Sequence, residues 1–209
     1  MRRASRFAWI PIPLICASVA ILAACAVSAT EEYPADRVTI AGKDYPTVTI
    51  GGTTWTASNY AGPGGIPYRP GQEKPEYGRY YTLAEVQGIE LPSGWRIPTR
   101  EDYVALAESQ GVVFSSGAAH NQAAIGSLLS TTHWANYPGN NSSGFNAYPA
   151  GTGFYDTEPL DGDICEFWTI TGVSVSIQEA VTSRTHRIVF FDSTAPDGWR
   201  FNVRFVKDH

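Results

Sequence analysis

The chain has 209 residues, of which 43% are hydrophobic, 12% aromatic and 17% charged. This composition can bury a core, and it excludes a wholly disordered protein. The 15 Lys and Arg residues are outnumbered by 20 Asp and Glu, which excludes the basic surface typical of nucleic-acid-binding proteins.

The first residues have the pattern of an export signal. Arg2, Arg3 and Arg6 precede an apolar stretch from Phe7 to Leu22. That stretch is shorter than the about 20 apolar residues needed to span a bilayer, so it indicates a secretory signal and not an anchor helix.

The sequence Leu-Ala-Ala-Cys ending at Cys25 resembles the lipobox of bacterial lipoproteins. In that family the signal is removed before the cysteine, which carries acyl chains that hold a soluble domain on a membrane. The resemblance predicts a lipoprotein signal peptide over residues 1–24, lipidation at Cys25, a tether over 25–36 and one domain over 37–209. The protein would then contact a membrane through its lipid anchor, at the outer membrane or cell surface. An ordinary secretion signal is the alternative.

The body of the chain begins with short strands and continues with helices. Residues 38–40 and 45–50 flank Ala41-Gly42-Lys43-Asp44, which is typical of a hairpin. Residues 61–75 hold four prolines and four glycines and predict a loop. Thr82-Leu83-Ala84-Glu85 and Thr99-Arg100-Glu101-Asp102 both fit the capping box that begins a helix.

Three further signals complete the prediction of elements. Gly88 and Gly111 fit positions where the two capped helices would end, and a third helix is predicted over 118–129. Alternating apolar residues over 173–177, and again over 201–205, predict strands. Because strands, helices and strands follow one another, the sequence predicts an α+β fold and not βαβ winding.

Five segments of the chain match the pattern of one family, in order. They are IGGTTWTASNY (50–60), YGRYYT (77–82), LPSGWRIPT (91–99), SGFNAYPAG (143–151) and FNVRFVKD (201–208). Together they resemble the Fibrobacter succinogenes major paralogous domain. The resemblance implies a fold of the C-type-lectin-like group, with two helices packed on antiparallel sheets and chain ends close together. The family is common in surface proteins and is better known as a domain than as an activity.

The cysteines depart from the family pattern. Leu91 and Phe205 stand where the family has cysteines, which implies an apolar contact in place of a disulfide. Cys16 lies within the predicted signal and Cys25 would be lipidated, so Cys165 is the cysteine left in the domain. We expect it to be a buried small hydrophobic residue and not a nucleophile.

No motif in the sequence predicts catalysis, a metal or a cofactor. The four histidines are not paired at ligand spacing, and no Gly-x-Ser-x-Gly turn occurs. Formylglycine-generating enzymes share the broad fold, but they depend on cysteines and a metal that this sequence does not supply. The sugar-binding motif of C-type lectins is interrupted, because Leu160 follows Glu158-Pro159 in place of asparagine.

The aromatic residues divide into two groups. The first, four tryptophans, is expected in the core, and the second, of residues in or near loops, contains candidates for exposure and ligand contact. The first group is Trp55, Trp95, Trp134 and Trp168. The second is Tyr60, Tyr68, Tyr137, Tyr155 and Trp199.

The segment over 155–166 (YDTEPLDGDICE) is the predicted ligand-binding loop. It departs from the family pattern and contains five carboxylates, and loops on a fixed scaffold commonly carry recognition. A Ca²⁺ site and a merely solvated acidic loop remain alternatives. The residues predicted to bind a ligand are Tyr137, Tyr155, Asp156, Glu158, Asp161 and Asp163.

These observations favour a non-enzymatic binding or adhesion domain at the cell surface, with a glycan or protein ligand. Two alternatives stay open: an enzyme or accessory component in polysaccharide breakdown, and a structural or fimbrial-tip subunit.

Overall fold

The computed structural model describes residues 36–69, 71–115, 118–180, 184–191 and 193–208. The predicted signal peptide, Cys25 and nearly all of the tether lie outside these residues. None of the helices within the described ranges is long and apolar enough to cross a membrane.

Short strands dominate the secondary structure. The helices are α1 (Leu83–Gln87), α2 (Arg100–Ser109) and α3 (Gln122–Leu128), with one 3-10 turn at Pro75–Tyr77. The strands are β1 (Arg37–Ile40), β2 (Lys43–Ile50), β3 (Thr53–Thr56), β4 (Ile66–Pro67), β5 (Arg79–Tyr80), β6 (Trp95–Arg96), β7 (Val113–Ser115), β8 (Ala118–His120), β9 (Gly153–Phe154), β10 (Ile164–Trp168), β11 (Ser174–Ala180), β12 (Thr185–Phe190), β13 (Trp199–Arg200) and β14 (Val206–Asp208).

Antiparallel pairing organises these strands into two main sheets and three small pairs. The larger sheet has the order β1-β2-β3-β14-β6, and the second has the order β10-β11-β12. The predicted hairpin is confirmed, since Ile40 pairs with Lys43 across the turn. Strand β14 lies between β3 and β6, so the first and last strands share one sheet. The α+β class is therefore confirmed.

Both predicted capping boxes are present. The Thr82 hydroxyl accepts a hydrogen bond from the Glu85 backbone, whose side chain accepts one from the Thr82 backbone, and Thr99 and Asp102 do the same. The prediction of a third helix over 118–129 is wrong for its first three residues. Ala118–His120 pair with β7 instead, and the helix begins only after Asn121, whose side chain caps it.

The closing segment is buried on both of its faces. Phe201, Val203 and Phe205 are buried as their alternation predicts, but Asn202 and Arg204 between them are 0% exposed. The prediction of a regular strand over residues 201–205 is wrong. Phe201 and Asn202 form isolated β-bridges, and regular strand pairing starts at Val206. The segment runs through the interior of the domain and lacks a solvent-facing side.

Burial confirms the predicted core tryptophans Trp55, Trp134 and Trp168, whereas Trp95 is half-buried. The predicted exposure of Tyr60 and Tyr68 is wrong, because these residues are only 2% and 4% exposed. The ring of Tyr60 packs against Tyr45, Tyr81 and Phe205.

Two further expectations about the core concern Cys165 and the positions Leu91 and Phe205, where the family has cysteines. Cys165 is free and fully buried, as predicted, and burial raises its pKa to about 12, so the thiol is protonated at neutral pH. Leu91 is half-buried and packs against the hydrophobic cluster that contains Phe205; contact between these two side chains stays a prediction.

Candidate functional site

An open groove of about 430 Å³ lies at the β9–β13 pair. We call it the aromatic groove, and its lining residues are Thr152, Phe154, Thr157, Glu158, Leu160 and Trp199. Phe154 and Leu160 are 40% and 73% exposed, and the adjacent Tyr155 is 57% exposed. Grouped exposed apolar side chains of this kind are typical of binding surfaces.

The groove is held by a row of aromatic contacts that reaches from the core to the surface. Phe154 is the register partner of Trp199, and their ring centroids are 5.0 Å apart. Trp199 stacks on Phe201 at 5.9 Å, and Phe201 packs against the buried Trp168 at 4.5 Å. The exposed rings therefore stand on a packed aromatic support.

Tyr155 is fixed by its backbone. Its φ is +50°, a left-handed conformation that is uncommon outside glycine. Its N–H donates to the carbonyl of Gly198 at 2.6 Å, and Arg200 Nε donates to the Tyr155 carbonyl at 2.9 Å. Its ring lies against Gly198, because a Cβ at that glycine would be 2.6 Å from the ring. These contacts hold the Tyr155 backbone beside the groove.

Asp161 connects the predicted ligand-binding loop to Tyr68, Lys74 and Tyr77. Its carboxylate accepts hydrogen bonds from Tyr68 Oη at 2.5 Å, Lys74 Nζ at 2.5 Å and Tyr77 Oη at 3.1 Å. Burial opposes ionisation, but the hydrogen bonds from Lys74 and Tyr68 outweigh it and lower the pKa of Asp161. Both of its oxygens are thus engaged by donors, and a Ca²⁺ ion would have to displace them.

The other predicted ligand-binding residues are distributed over the surface. Glu158 lines the aromatic groove, with one carboxylate oxygen 3.7 Å from Arg69 Nε. Asp156 and Asp163 are exposed. Tyr137 lines a separate groove with Asn136 and neighbouring residues. The structure therefore places Glu158 in the aromatic groove with Tyr155 beside it, gives Asp161 a structural contact and places Tyr137 elsewhere.

Metal-binding geometry is absent from the part of the chain that the structure describes. No group of three or more His, Cys, Asp and Glu side chains there is placed to hold an ion.

A second cavity, of about 240 Å³, contains a buried carboxyl group. Its floor is formed by Glu166, Ser174 and Phe201, which are 6%, 3% and 2% exposed. Ser174 Oγ donates to Glu166 Oε1 at 2.6 Å. Burial raises the pKa of Glu166 to about 6. Trp199 lines both this cavity and the aromatic groove.

Sequence reasoning did not select Glu166, although it is one of the five carboxylates of the predicted loop. The sequence signal for a buried carboxyl group was the position of Glu166 among apolar residues in Ile-Cys-Glu-Phe-Trp. Such a run is typical of a strand buried on both faces, in which a charged side chain has no access to solvent. Its partner residues come from β11 and from the loop before β13, which local sequence does not connect to it.

The fold and the groove define a small α+β domain with an exposed aromatic groove and a buried carboxyl group in the neighbouring cavity. A family model described as the Fibrobacter succinogenes major domain matches residues 48–207. The chain belongs to this family, as its five ordered segments indicated. No curated protein and no solved structure matches the chain.

Proposed function

We propose that the protein is a lipid-anchored cell-surface component whose domain binds a glycan at the aromatic groove without acting on it chemically. The observation that supports this function is the exposure of Phe154 and Tyr155 on a packed aromatic support. Rigid aromatic side chains provide contact area at low entropic cost, because little motion is lost on binding.

The groove combines the two chemistries that a sugar ring presents. The faces of Phe154 and Trp199 suit the apolar C–H face of a pyranose. Beside them, Glu158 and the two threonines supply oxygen atoms for sugar hydroxyl groups. A protein ligand would use the same aromatic residues as anchors, and the choice between the two ligand classes rests on the following experiment.

The groove is tested by replacing Phe154 with alanine in the full-length protein. Wild type is first applied to an array of plant, microbial and animal oligosaccharides, and the best ligand is then titrated by calorimetry. We expect Phe154→Ala to weaken binding at least tenfold, because removal of a central aromatic anchor commonly costs 1.4 kcal/mol or more.

Phe191→Ala is the matched control, since Phe191 is 39% exposed, close to the 40% of Phe154, but lies outside the groove. Its affinity for the same oligosaccharide should stay within about twofold of wild type, a shift of about 0.4 kcal/mol. Equal losses in both variants, or an array with no bound oligosaccharide, would contradict the glycan proposal.

The enzyme alternative has one observation in its favour, the buried Glu166 with its raised pKa. Glycosidases, however, use two carboxyl groups about 5–10 Å apart. Glu166 is the single carboxyl group among the described residues that line its cavity. We therefore propose binding alone, and release of reducing sugar from the array ligand would overturn this part of the proposal.

We also propose that the fold belongs to the C-type-lectin-like group, as the family resemblance implies. The antiparallel sheets, the two capped helices and the shared sheet of β1 and β14 support this assignment.

Membrane attachment is tested at Cys25. Replacement of Cys25 by serine should abolish labelling with a radioactive fatty acid and prevent cleavage before residue 25, because the thioether cannot form. Fractionation and N-terminal analysis of both forms provide the measurement. Recovery of the wild-type protein without lipid, starting at a residue other than Cys25, would refute the anchor.

A further inference from the structure

The cavity beside Glu166 differs from the aromatic groove in having a buried ionisable group at its floor. Its rim is exposed at Phe191, Ser193, Thr194 and Pro196, so the floor can be reached from solvent. It is thus a pocket with an apolar wall and one acidic group at its end.

The negative charge of the buried Glu166 carboxylate is balanced by few neighbouring groups. Its side chain forms one hydrogen bond with the described residues, from Ser174, and none of the ion pairs in those residues involves it. Because burial raises its pKa only to about 6, the group is mostly ionised at neutral pH. A buried anion with a single neutral donor favours the approach of a cation.

The cavity walls suit an organic cation and not a hydrated metal ion. The aromatic rings of Trp199 and Phe201 line the space next to Glu166, and such rings attract ammonium groups through their electron-rich faces. The volume of about 240 Å³ compares with about 30 Å³ for one liquid water molecule, so a short alkyl chain fits with its charged end.

We propose that this cavity is a binding site for an alkylammonium group, with Glu166 as its counter-ion and Trp199 and Phe201 around its alkyl chain. The group can be a free primary amine or the lysine side chain of a partner. This site shares Trp199 with the aromatic groove, but its polar residue is Glu166, whereas that of the groove is Glu158.

The test uses n-butylammonium as the probe and butan-1-ol as its neutral counterpart, each titrated into the full-length protein by calorimetry and NMR at pH 7.5. We expect butylammonium to bind at least tenfold more tightly than butan-1-ol. Glu166→Gln should remove this difference, while Glu108→Gln, the same substitution at an exposed residue outside the cavity, should leave it unchanged. Equal binding of the two probes, or equal affinity in wild type and Glu166→Gln, would overturn the proposal.

The wild-type protein supplies a second test that does not depend on folding of the variant. Affinity for butylammonium should fall as the pH is lowered from 7.5 through about 6 to 5, because Glu166 becomes neutral while the amine stays protonated. The described lining residues include no other titratable side chain, and Arg200 on the adjoining strand is paired with Glu85. A flat profile would contradict the assignment.

Two peptides distinguish the possible sources of the ammonium group. Acetyl-Gly-Lys-Gly-amide and its form acetylated on the lysine side chain differ only in the charge of that side chain. Binding of the first and not the second indicates a lysine of a partner protein, whereas binding of butylammonium alone indicates a free amine. The site would be refuted if neither butylammonium nor the lysine peptide bound more tightly than its neutral counterpart, and glycan binding at Phe154 would be unaffected by that result.

Discussion

Replacement of Arg204 by methionine should lower the free energy of unfolding by about 4 kcal/mol, because it leaves two buried acceptors and one half-buried acceptor without their donor. Arg204 is 0% exposed. Its guanidinium donates to the side-chain oxygen of Asn59 at 2.7 Å, to the carbonyl of Thr56 at 2.7 Å and to the carbonyl of Asn146 at 3.0 Å. It thereby ties two distant segments, residues 56–59 and the segment at Asn146, to the closing segment that contains Arg204.

The charge of Arg204 is compensated by neutral groups. No ion pair among the described residues includes it, and burial lowers its pKa to about 10, so it remains protonated at neutral pH. The guanidinium carbon lies 4.8 Å from the ring centre of Phe145 and 5.8 Å from that of Phe167. These faces and the three oxygens replace the water that the cation loses.

Two variants separate the geometry of Arg204 from its charge and size. Arg204→Lys keeps the charge, but a compact ammonium cannot satisfy three diverging acceptors as the planar guanidinium does. We therefore expect Arg204→Lys to lose at least half as much free energy of unfolding as Arg204→Met loses.

Arg187→Met is the control, because Arg187 is exposed and its side chain bonds only to Gln178 among the described residues. Its cost should be below about 0.5 kcal/mol. Urea unfolding at pH 7 measures all three, and an unchanged midpoint for Arg204→Met would refute the role.

The elements that sequence predicted well depend on residues close together in the chain. The capping boxes at Thr82 and Thr99 each close over three residues, and the β1–β2 hairpin closes over the turn at Gly42. Local hydrogen bonding decides such features, so the sequence contains their determinants.

The parts that sequence reasoning missed are assembled from distant segments. Tyr68 looked like an exposed loop residue, but it bonds to Asp161, which is 93 positions away. Glu166 lines a cavity only because residues of the loop that precedes β13 form the opposite wall. Period-two alternation predicted Phe201, Val203 and Phe205 as core, but it could not show that the intervening Arg204 has its partners 58 to 148 residues away.

Gly151 illustrates the same limit and supports the last prediction. Gly151 and Gly42 have nearly equal φ angles, +75° and +77°, and no feature of the sequence separates them. A Cβ on Gly42 would meet nothing within 4 Å. A Cβ on Gly151 would lie 1.4 Å from the carbonyl oxygen of Leu160 and 3.0 Å from the Cα of Asp161, atoms of the backbone that cannot rotate away.

We therefore expect different effects from the same substitution at the two glycines. Gly42→Ala should cost about 1 kcal/mol, since a left-handed conformation is unfavourable for alanine. Gly151→Ala should cost about 3 kcal/mol, because displacement of the neighbouring backbone adds to that strain. Urea unfolding of both variants gives the comparison, and equal losses would show that the close approach at Leu160 is not maintained in solution.

The functional consequence should follow the displaced backbone. Movement of the segment at Leu160 alters one wall of the aromatic groove and shifts Asp161 from its contacts with Tyr68 and Lys74. Gly151→Ala should therefore weaken binding of the array oligosaccharide, whereas Gly42→Ala should bind it as wild type does. Both affinities are measured without urea, at a temperature at which the variants are folded. Butylammonium binding beside Glu166 should change less than oligosaccharide binding in Gly151→Ala, because neither Leu160 nor Asp161 lines that cavity.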